Sequence, residues 1–136
     1  MNEAVRFLRE CPAFFLATVQ GEKPKLRPFG AVMEYKDRIY FSTSNQKEVF
    51  RQIKLNPQVE ISGVAADGKW IRLSGKAVVD GSMEARVAML EANPALNGMY
   101  KLGDDQFEVF YLANPQGWFY RLGENEPIRI QLKTVF

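Results

Sequence analysis

The residues best suited to chemistry lie between Lys25 and Pro57, where the sequence predicts two strands, a tight turn and a helix. Lys47 falls in the predicted first helical turn, where the peptide dipoles already leave a partial positive charge. A lysine is favourable there if an anion lies between the two, because helix N–H groups and an ammonium both bind negative charge. This arrangement predicts a phosphate clamp that includes Arg27, Ser42, Thr43, Ser44, Asn45 and Lys47. The alternative for any one of the charges is ordinary solvation.

The clamp residues depend on a strand predicted from about Lys25 to Tyr35. Two-residue alternation gives this strand one face with Arg27 and four apolar or aromatic side chains. Pro28 cannot donate a ladder hydrogen bond, and Gly30 suggests a bulge or a close backbone approach. This interruption suits a flat ligand lying against the backbone of Pro28, Phe29 and Gly30, and the alternative is a kinked edge strand. The predicted face consists of Arg27, Phe29, Ala31, Met33 and Tyr35.

The helix after the second strand is predicted to begin at Asn45, which acts as the N-cap with Glu48 three residues later. Asn56-Pro57 ends it. Its apolar side chains are Val49, Phe50 and Ile53. Its basic edge is Lys47, Arg51 and Lys54, of which only Lys47 is expected to contact a ligand.

The remaining pattern predicts a mainly β (α+β) fold in one domain, residues 1–136. Asp67-Gly68 is a strong hairpin signal between two alternating segments. Ser82 is expected to cap a helix that Asn93-Pro94 breaks, with a shorter helix to about residue 102. We expect a small antiparallel barrel of six or seven strands with helices outside it. The other predicted elements are a helix at 2–10, strands at 13–19, 39–43, 58–66, 69–79, 107–113, 118–122 and 128–132, and a turn at 114–117.

One face of the strand at 69–79 carries Trp70 with Arg72, Ser74 and Lys76. A large aromatic side chain among polar groups is typical of an interface or a ligand wall. The alternative is an exposed polar sheet face with one covering tryptophan. Trp70 is therefore a further candidate site residue.

Composition restricts the chemistry. The 136 residues include no histidine and one cysteine, Cys11, which excludes His-ligated metals, Ser-His-Asp triads and an internal disulfide. Cys11 is expected to be structural, with a reactive thiol as the alternative. We expect no metal site, and any chemistry belongs to a bound organic cofactor.

Charge and hydropathy indicate the setting of the protein. The net charge is only +2, but residues 25–54 carry seven basic and three acidic side chains. This favours a local anion site over a nucleic-acid surface. No apolar run reaches the roughly 18 residues of a membrane helix, and the start lacks a signal-peptide pattern. We therefore expect a cytoplasmic protein without a membrane partner.

The order and spacing of several motifs resemble the pyridoxamine 5′-phosphate oxidase-like family of FMN-binding split β-barrels. Within that family the chain most resembles the small nitroimidazole-reductase (Nim) type proteins. The resemblance extends from the first helix to about residue 132. The matching motifs are Arg27-Pro28-Phe29-Gly30, Tyr40-Phe41-Ser42-Thr43, Lys47, Gln52-Ile53, Asn56-Pro57 and Trp70-Ile71-Arg72-Leu73-Ser74-Gly75.

The resemblance implies a homodimer with FMN in two clefts between the subunits. It implies that the phosphate is held by Arg27, by hydroxyls of Ser42 to Ser44 and by Lys47. The isoalloxazine ring is then expected along the backbone of Pro28, Phe29 and Gly30. Residues of the partner subunit close the other side, with Trp70 as a candidate.

Two departures argue against oxidation of pyridoxamine phosphate. The true oxidases carry a C-terminal Arg-Leu-x-Pro signature, whereas Gly123-Glu124 follows Arg121-Leu122 here, with no proline at that spacing. The spacing around Lys47 also differs from the Ser-Arg-Lys run of those enzymes.

The resulting hypothesis is an FMN-dependent oxidoreductase. It passes electrons or hydride from a reduced nicotinamide-type donor to a small acceptor, with a nitroaromatic or a quinone as candidates. The alternative on the same fold is a non-enzymatic carrier or sensor of flavin, deazaflavin or haem, although the lack of histidine argues against His-ligated haem. A third alternative, a barrel that binds single-stranded nucleic acid, is weakened by the small net charge.

Overall fold

The computed structural model describes residues 2–124 and 126–136. Within them, the chain forms three α-helices and a single antiparallel sheet of eight strands, one strand more than the upper number expected. The predicted β-rich architecture with helices around it is confirmed. The helices are α1 (Glu3–Glu10), α2 (Glu48–Leu55) and α3 (Met83–Ala92). The strands are β1 (Phe14–Gln20), β2 (Lys23–Phe29), β3 (Val32–Tyr35), β4 (Arg38–Ser44), β5 (Gln58–Val64), β6 (Lys69–Asp80), β7 (Phe107–Arg121) and β8 (Ile128–Arg129).

The strand order is β2-β1-β5-β6-β7-β4-β3, and β8 pairs with β7. The sheet curls so that β2, at one end of the strand order, contacts β4 and β7 at an aromatic cluster. The ring of Phe29, at the end of β2, lies 6.3 Å from that of Phe41 on β4 and 6.1 Å from that of Phe110 on β7. This contact brings the end of β2 against β4 without ladder pairing between them among the described residues.

Two apolar clusters occupy opposite sides of the sheet. The first cluster fills the barrel interior with apolar side chains from the strands, together with Leu8 of α1 and Phe50 of α2. The second cluster lies between α3 and the outer sides of β3, β4 and β7, with Met89 and Tyr40 fully buried. Burial at roughly 25 cal/mol per Å² of apolar surface makes these clusters the main stabilising contribution.

The single strand predicted from Lys25 to Tyr35 is wrong. β2 ends at Phe29 and β3 begins at Val32, and the two strands pair with different partners, β1 and β4. The predicted common face is therefore also broken, because Phe29 packs against the barrel interior while Met33 belongs to the α3 cluster. The interruption at Gly30 that the sequence indicated is the point where the chain crosses from one end of the sheet to the other.

The turn predicted at 114–117 is also wrong. β7 runs continuously from Phe107 to Arg121 because the long β6 pairs with it on both sides of a register shift between Ser74 and Lys76. Gly75 is needed at this bulge, since a Cβ there would lie 3.1 Å from the carbonyl oxygen of Ala113.

Of the remaining local predictions, the hairpin turn and the cap of α3 are confirmed, whereas the last helix and the last strand are shorter than expected. Gly68 adopts φ 89° in the hairpin between β5 and β6, as Asp67-Gly68 predicted. The Ser82 hydroxyl accepts from the Ala85 N–H at 3.2 Å and caps α3. The segment after α3 is only a 3-10 helix at Pro94–Gly98, and the last strand, expected to reach residue 132, stops at Arg129. None of the helices in the described part of the chain has the length and apolar character needed to span a bilayer.

Candidate functional site

Arg27 lies on the inner face of β2, alongside α2. Its Nη1 donates to the carbonyl oxygen of Leu16 at 3.0 Å, and its Nη2 donates to Oε1 of Gln52 at 2.7 Å. Burial lowers the pKa of Arg27, and the nearby Glu48 carboxylate partly offsets this by favouring the charged form. Glu48 and Gln52 are one helical turn apart, so the guanidinium lies along the first two turns of α2.

Thr43 lies at the same end of the barrel as Arg27. Arg27 is two residues from Phe29 on β2, and Thr43 is two residues from Phe41 on β4, so each shares the inner face of its strand. Five successive strand pairs connect β2 to β4, and all five are antiparallel. Because this number is odd, β2 and β4 run in opposite directions. Arg27 and Thr43 therefore lie in the same direction along the barrel, measured from the contact between the Phe29 and Phe41 rings.

The Thr43 hydroxyl is a buried polar group at this end of the barrel. Thr43 is 3% exposed, and within residues 2–124 and 126–136 its Oγ1 has no hydrogen-bond partner. An unpaired buried hydroxyl costs about 1–3 kcal/mol. A ligand oxygen at this end of the barrel would remove that cost.

The structure does not bring all three predicted hydroxyls together. Alternation along β4 puts Ser42 and Ser44 on the side of Tyr40, which belongs to the α3 cluster, whereas Thr43 faces the barrel interior. The Ser44 Oγ accepts from the backbone N–H of Gln46 at 3.1 Å. Of these three residues, Thr43 is the one on the same side as Arg27.

Lys47 is the N-cap of α2, rather than a residue of its first turn, and the prediction of Asn45 as the N-cap is wrong. The Lys47 side chain is exposed and makes no capping hydrogen bond, since an ammonium cannot accept one. The helix therefore begins with a cation and with N–H groups that receive no cap from the Lys47 side chain. An anion at this position would meet both.

Asn45 holds the connection between β4 and α2 against the chain before β7. Its Nδ2 donates to the carbonyl oxygen of Asp105 at 2.7 Å and to Oε2 of Glu108 at 3.1 Å. Its Oδ1 accepts from the Gln46 side chain at 2.7 Å. Both ends of the Asn45 amide therefore bond to protein groups, and Asn45 lies two residues before the N-cap position that Lys47 occupies.

Pro28 and Phe29 end β2 and Gly30 follows it, where the strand has only β1 as a ladder partner among the described residues. Pro28 is on the exposed side and Phe29 on the inner side. Gly30 is exposed, and a Cβ built on it would meet no atom within 4 Å. Phe29 and Gly30 also line a cavity of about 150 Å³ beside Cys11. The backbone here is open to a ligand.

Trp70 is not brought to the clamp within one chain. It pairs with Tyr120 on β7, whereas Thr43 pairs with Glu108, twelve positions earlier on the same strand. Its ring lies on the outer face and lines an apolar groove of about 690 Å³ together with Phe15 and Leu26. Trp70 could join the clamp only if it came from another subunit.

The groups at the α2 end of the barrel fit a phosphate. Arg27 lies near one carboxylate, Glu48, Lys47 is the N-cap of the same helix, and among the described residues the buried Thr43 hydroxyl has no partner. Charge-assisted hydrogen bonds to phosphate oxygens use these donor types. The open backbone at Gly30 gives room for a flat group attached to that phosphate.

Sequence reasoning gave no site role to two residues that support this site. Gln52 is 4% exposed on the apolar side of α2 and holds Arg27, and Glu108 holds Asn45 and pairs with Arg86 at 3.1 Å. A glutamine three residues after Val49, on the buried stripe, was a usable signal for Gln52. Glu108 had no local signal, because its partners are far away in the sequence.

Comparisons with known proteins agree with this fold. The family model described as pyridoxamine 5′-phosphate oxidase matches residues 1–112. A NimC/NimA family protein from Clostridium acetobutylicum is 42% identical, with a TM-score of 0.87, over 93% of this chain and 91% of that chain. A search of curated proteins finds no match.

More distant structures share the fold. A pyridoxamine 5′-phosphate oxidase-related, FMN binding protein from Nostoc punctiforme is 20% identical, with a TM-score of 0.66, over 94% of this chain and 82% of that chain. A heme binding protein from Mycobacterium smegmatis is 21% identical, with a TM-score of 0.71, over 94% of this chain and 57% of that chain. The family model and the 42% identity together show that this chain belongs to the pyridoxamine 5′-phosphate oxidase-like family, with a NimC/NimA protein among its relatives.

Proposed function

We propose that this protein binds FMN and is an oxidoreductase that uses it. The observation that carries the proposal is the meeting of Arg27, the unpaired Thr43 hydroxyl and the Lys47 end of α2 at one end of the barrel. Membership of the family and the FMN-binding relative from Nostoc punctiforme support it. FMN, when bound, supplies hydride or electron transfer.

The protein's own residues bind and orient the cofactor. Arg27 and Lys47 hold the phosphate with charge-assisted bonds, and the Thr43 hydroxyl donates to a phosphate oxygen. The hydroxyls of Ser42 and Ser44 face the other side of β4, and they contribute only if the ligand extends around the strand end. The backbone of Pro28, Phe29 and Gly30 lies along the ring and restricts what can approach it.

The active form is a homodimer in which the partner subunit completes each site. The groove around Trp70 supports this, because Phe15 and Leu26 are 42% and 68% exposed and form an apolar surface that a second copy would cover. The donor is a reduced nicotinamide, and the acceptor is a small molecule such as a nitroaromatic or a quinone. No nucleic acid takes part.

The test is the absorbance spectrum of the purified protein, followed by titration with FMN and addition of NADPH with a nitroaromatic or quinone acceptor. We expect flavin absorbance, saturable binding of FMN and oxidation of NADPH that depends on bound FMN. A protein that does not bind FMN after incubation with an excess would overturn the proposal. Binding of FMN without turnover would favour the carrier alternative.

A further inference from the structure

Gln52 is a buried polar residue in an apolar position. It lies on α2 next to Ile53, and only 4% of it is exposed. Burying an amide without hydrogen bonds costs about 1–3 kcal/mol on the scale of protein mutations. Leucine or methionine would fill such a position without this cost, so the hydrogen bonds that Gln52 makes need a reason beyond packing.

The contacts of Gln52 fix the orientation of its amide. Its Oε1 accepts from the Thr18 hydroxyl at 2.5 Å and from Nη2 of Arg27 at 2.7 Å. Its Nε2 donates to Oε1 of Gln20 at 3.3 Å. Because an arginine can only donate, the atom that faces Arg27 must be the amide oxygen.

Arg27 is in turn held at two points. Gln52 accepts from Nη2, and the Leu16 carbonyl oxygen accepts from Nη1 at 3.0 Å. A guanidinium has five N–H donors, so further donors remain for an anion. Glu48, one turn before Gln52, is the nearby carboxylate that favours the charged form of Arg27. Without Gln52, the long arginine side chain could move toward Glu48.

We propose that Gln52 is a positioning residue that directs the Arg27 guanidinium toward the phosphate of the bound cofactor. This inference rests on the proposed function, because it assumes that Arg27 binds the FMN phosphate. Gln52 itself does not touch the cofactor. It accepts one N–H of Arg27 and keeps the guanidinium away from the Glu48 carboxylate, which leaves the remaining N–H groups for phosphate oxygens.

The test is a double-mutant cycle on FMN affinity. FMN dissociation constants are measured by flavin fluorescence for the unmodified protein, Gln52→Met, Arg27→Ala and the double variant. We expect Gln52→Met alone to weaken binding by roughly tenfold, and to have little further effect once Arg27 is alanine. Additive losses would overturn the inference, because Gln52 would then act independently of Arg27.

Riboflavin distinguishes positioning from general loosening of the barrel. It lacks the phosphate, so Gln52→Met should leave riboflavin affinity unchanged while FMN affinity falls. An equal fall for both ligands would overturn the inference. Gln58→Met, the same change at an exposed position on β5, is the matched control and should leave FMN affinity unchanged.

Folding and the proposed function are checked separately. Gln52→Asn keeps a neutral amide oxygen on the side that faces Arg27 and adds no carboxylate, so it should retain more FMN affinity than Gln52→Met, and it serves as the test if Gln52→Met does not fold. Equal losses in the two variants would contradict the positioning role. If the unmodified protein does not bind FMN, the proposed function and this inference both fail. If it binds but the cycle is additive, only this inference fails.

Discussion

The Tyr40 hydroxyl donates a hydrogen bond of 2.7 Å to Oδ2 of Asp80, between β4 and the end of β6. The Tyr40 side chain is fully buried in the α3 cluster. Burial and the Asp80 carboxylate raise the pKa of Tyr40 above its ordinary value. Burial alone would raise the pKa of Asp80, but hydrogen bonds from Ser82 and Tyr40 hold it below its ordinary value. The pair joins the sheet to the start of α3.

This pair predicts a loss of stability in alkaline solution. The folded pKa of Tyr40 is above the unfolded value of about 10, so the unfolded chain releases this proton first and the free energy of unfolding falls as pH rises above 10. Tyr40→Phe should remove this part of the pH dependence, and it should cost about 1.5–3 kcal/mol near neutral pH because Asp80 loses a donor. Urea unfolding at about pH 7 and about pH 10.5 measures both effects. A variant with the same alkaline loss as the unmodified protein would contradict the assignment.

Lys47 should contribute to cofactor affinity much more than the other lysine of the same helix. Lys47→Ala should weaken FMN binding by about 1.5–3 kcal/mol, and Arg27→Ala combined with it by about twice that, since each removes a charge-assisted contact. Lys54→Ala is the matched control, because its ammonium lies over the Phe50 ring at 5.1 Å and away from the N-terminus of α2. Fluorescence titration with FMN measures the difference. Equal effects at the two lysines would indicate long-range charge only.

Gly30→Ala should separate folding from cofactor binding. A Cβ at Gly30 meets no protein atom within 4 Å and φ is not positive there, so the variant should be as stable or gain about 0.4–1 kcal/mol. If the flavin ring lies along this backbone, the added methyl group should weaken FMN binding. Thermal unfolding and FMN titration of the same samples test this. Unchanged FMN affinity would argue against a ring at this position.

Gly63→Ala provides the opposite control. A Cβ at Gly63 would lie 3.0 Å from the Cys11 Sγ and 3.0 Å from the Phe14 Cβ. Overpacking of this kind costs about 1–3 kcal/mol. This variant should therefore unfold at a lower temperature, whereas Gly30→Ala should not.

Asn45 should be needed to hold the loop that precedes α2. Asn45→Ala removes the donors to the Asp105 carbonyl oxygen and to Glu108, and it should cost about 1–3 kcal/mol of stability. Asn45→Asp should cost more near neutral pH, since it brings a second carboxylate against Glu108. Chemical unfolding of the two variants gives the order. An aspartate variant as stable as the alanine variant would contradict the contact with Glu108.

Trp70 should act at the subunit interface rather than at the clamp of its own chain. Its ring stacks on Tyr120 with centroids 4.2 Å apart and planes 15° apart. Trp70→Ala should shift the proposed dimer toward monomer and weaken FMN binding in parallel, whereas Trp70→Phe should retain most of both. Sedimentation at several protein concentrations with and without FMN measures the shift. Loss of FMN affinity with an unchanged dimer would instead place Trp70 at the ring.

The local signals in the sequence were sufficient for several elements. Alternation between apolar and polar residues identified most strands. The Asp67-Gly68 pair identified a hairpin whose turn needs a positive φ. The Ser82 cap was also correct, because its hydroxyl bonds to an N–H only three residues away. Such features depend on neighbours in the chain, so the chain alone determines them.

The tertiary structure decided what long-range pairing controls. Gly30 separates two strands because β2 pairs with β1 whereas β3 pairs with β4. β7 continues through Asn114 and Gly117 because β6 pairs with it on both sides of the register shift. Asn45 is not the cap: its Nδ2 donates to the Asp105 carbonyl oxygen and to Glu108, about sixty residues later, and the N-cap of α2 is Lys47, two residues after it. Local propensity was outweighed in each case by hydrogen bonds to distant segments.

The clamp shows the same division. Its residue types are evident without a structure: cations at Arg27 and Lys47 and hydroxyls at the end of β4. Only the folded barrel decided that Thr43 shares a side with Arg27, that Ser42 and Ser44 do not, and that Gln52 holds the guanidinium. The physical reason is that alternation gives the relative faces within one strand, whereas closure of the sheet determines which faces of distant strands meet.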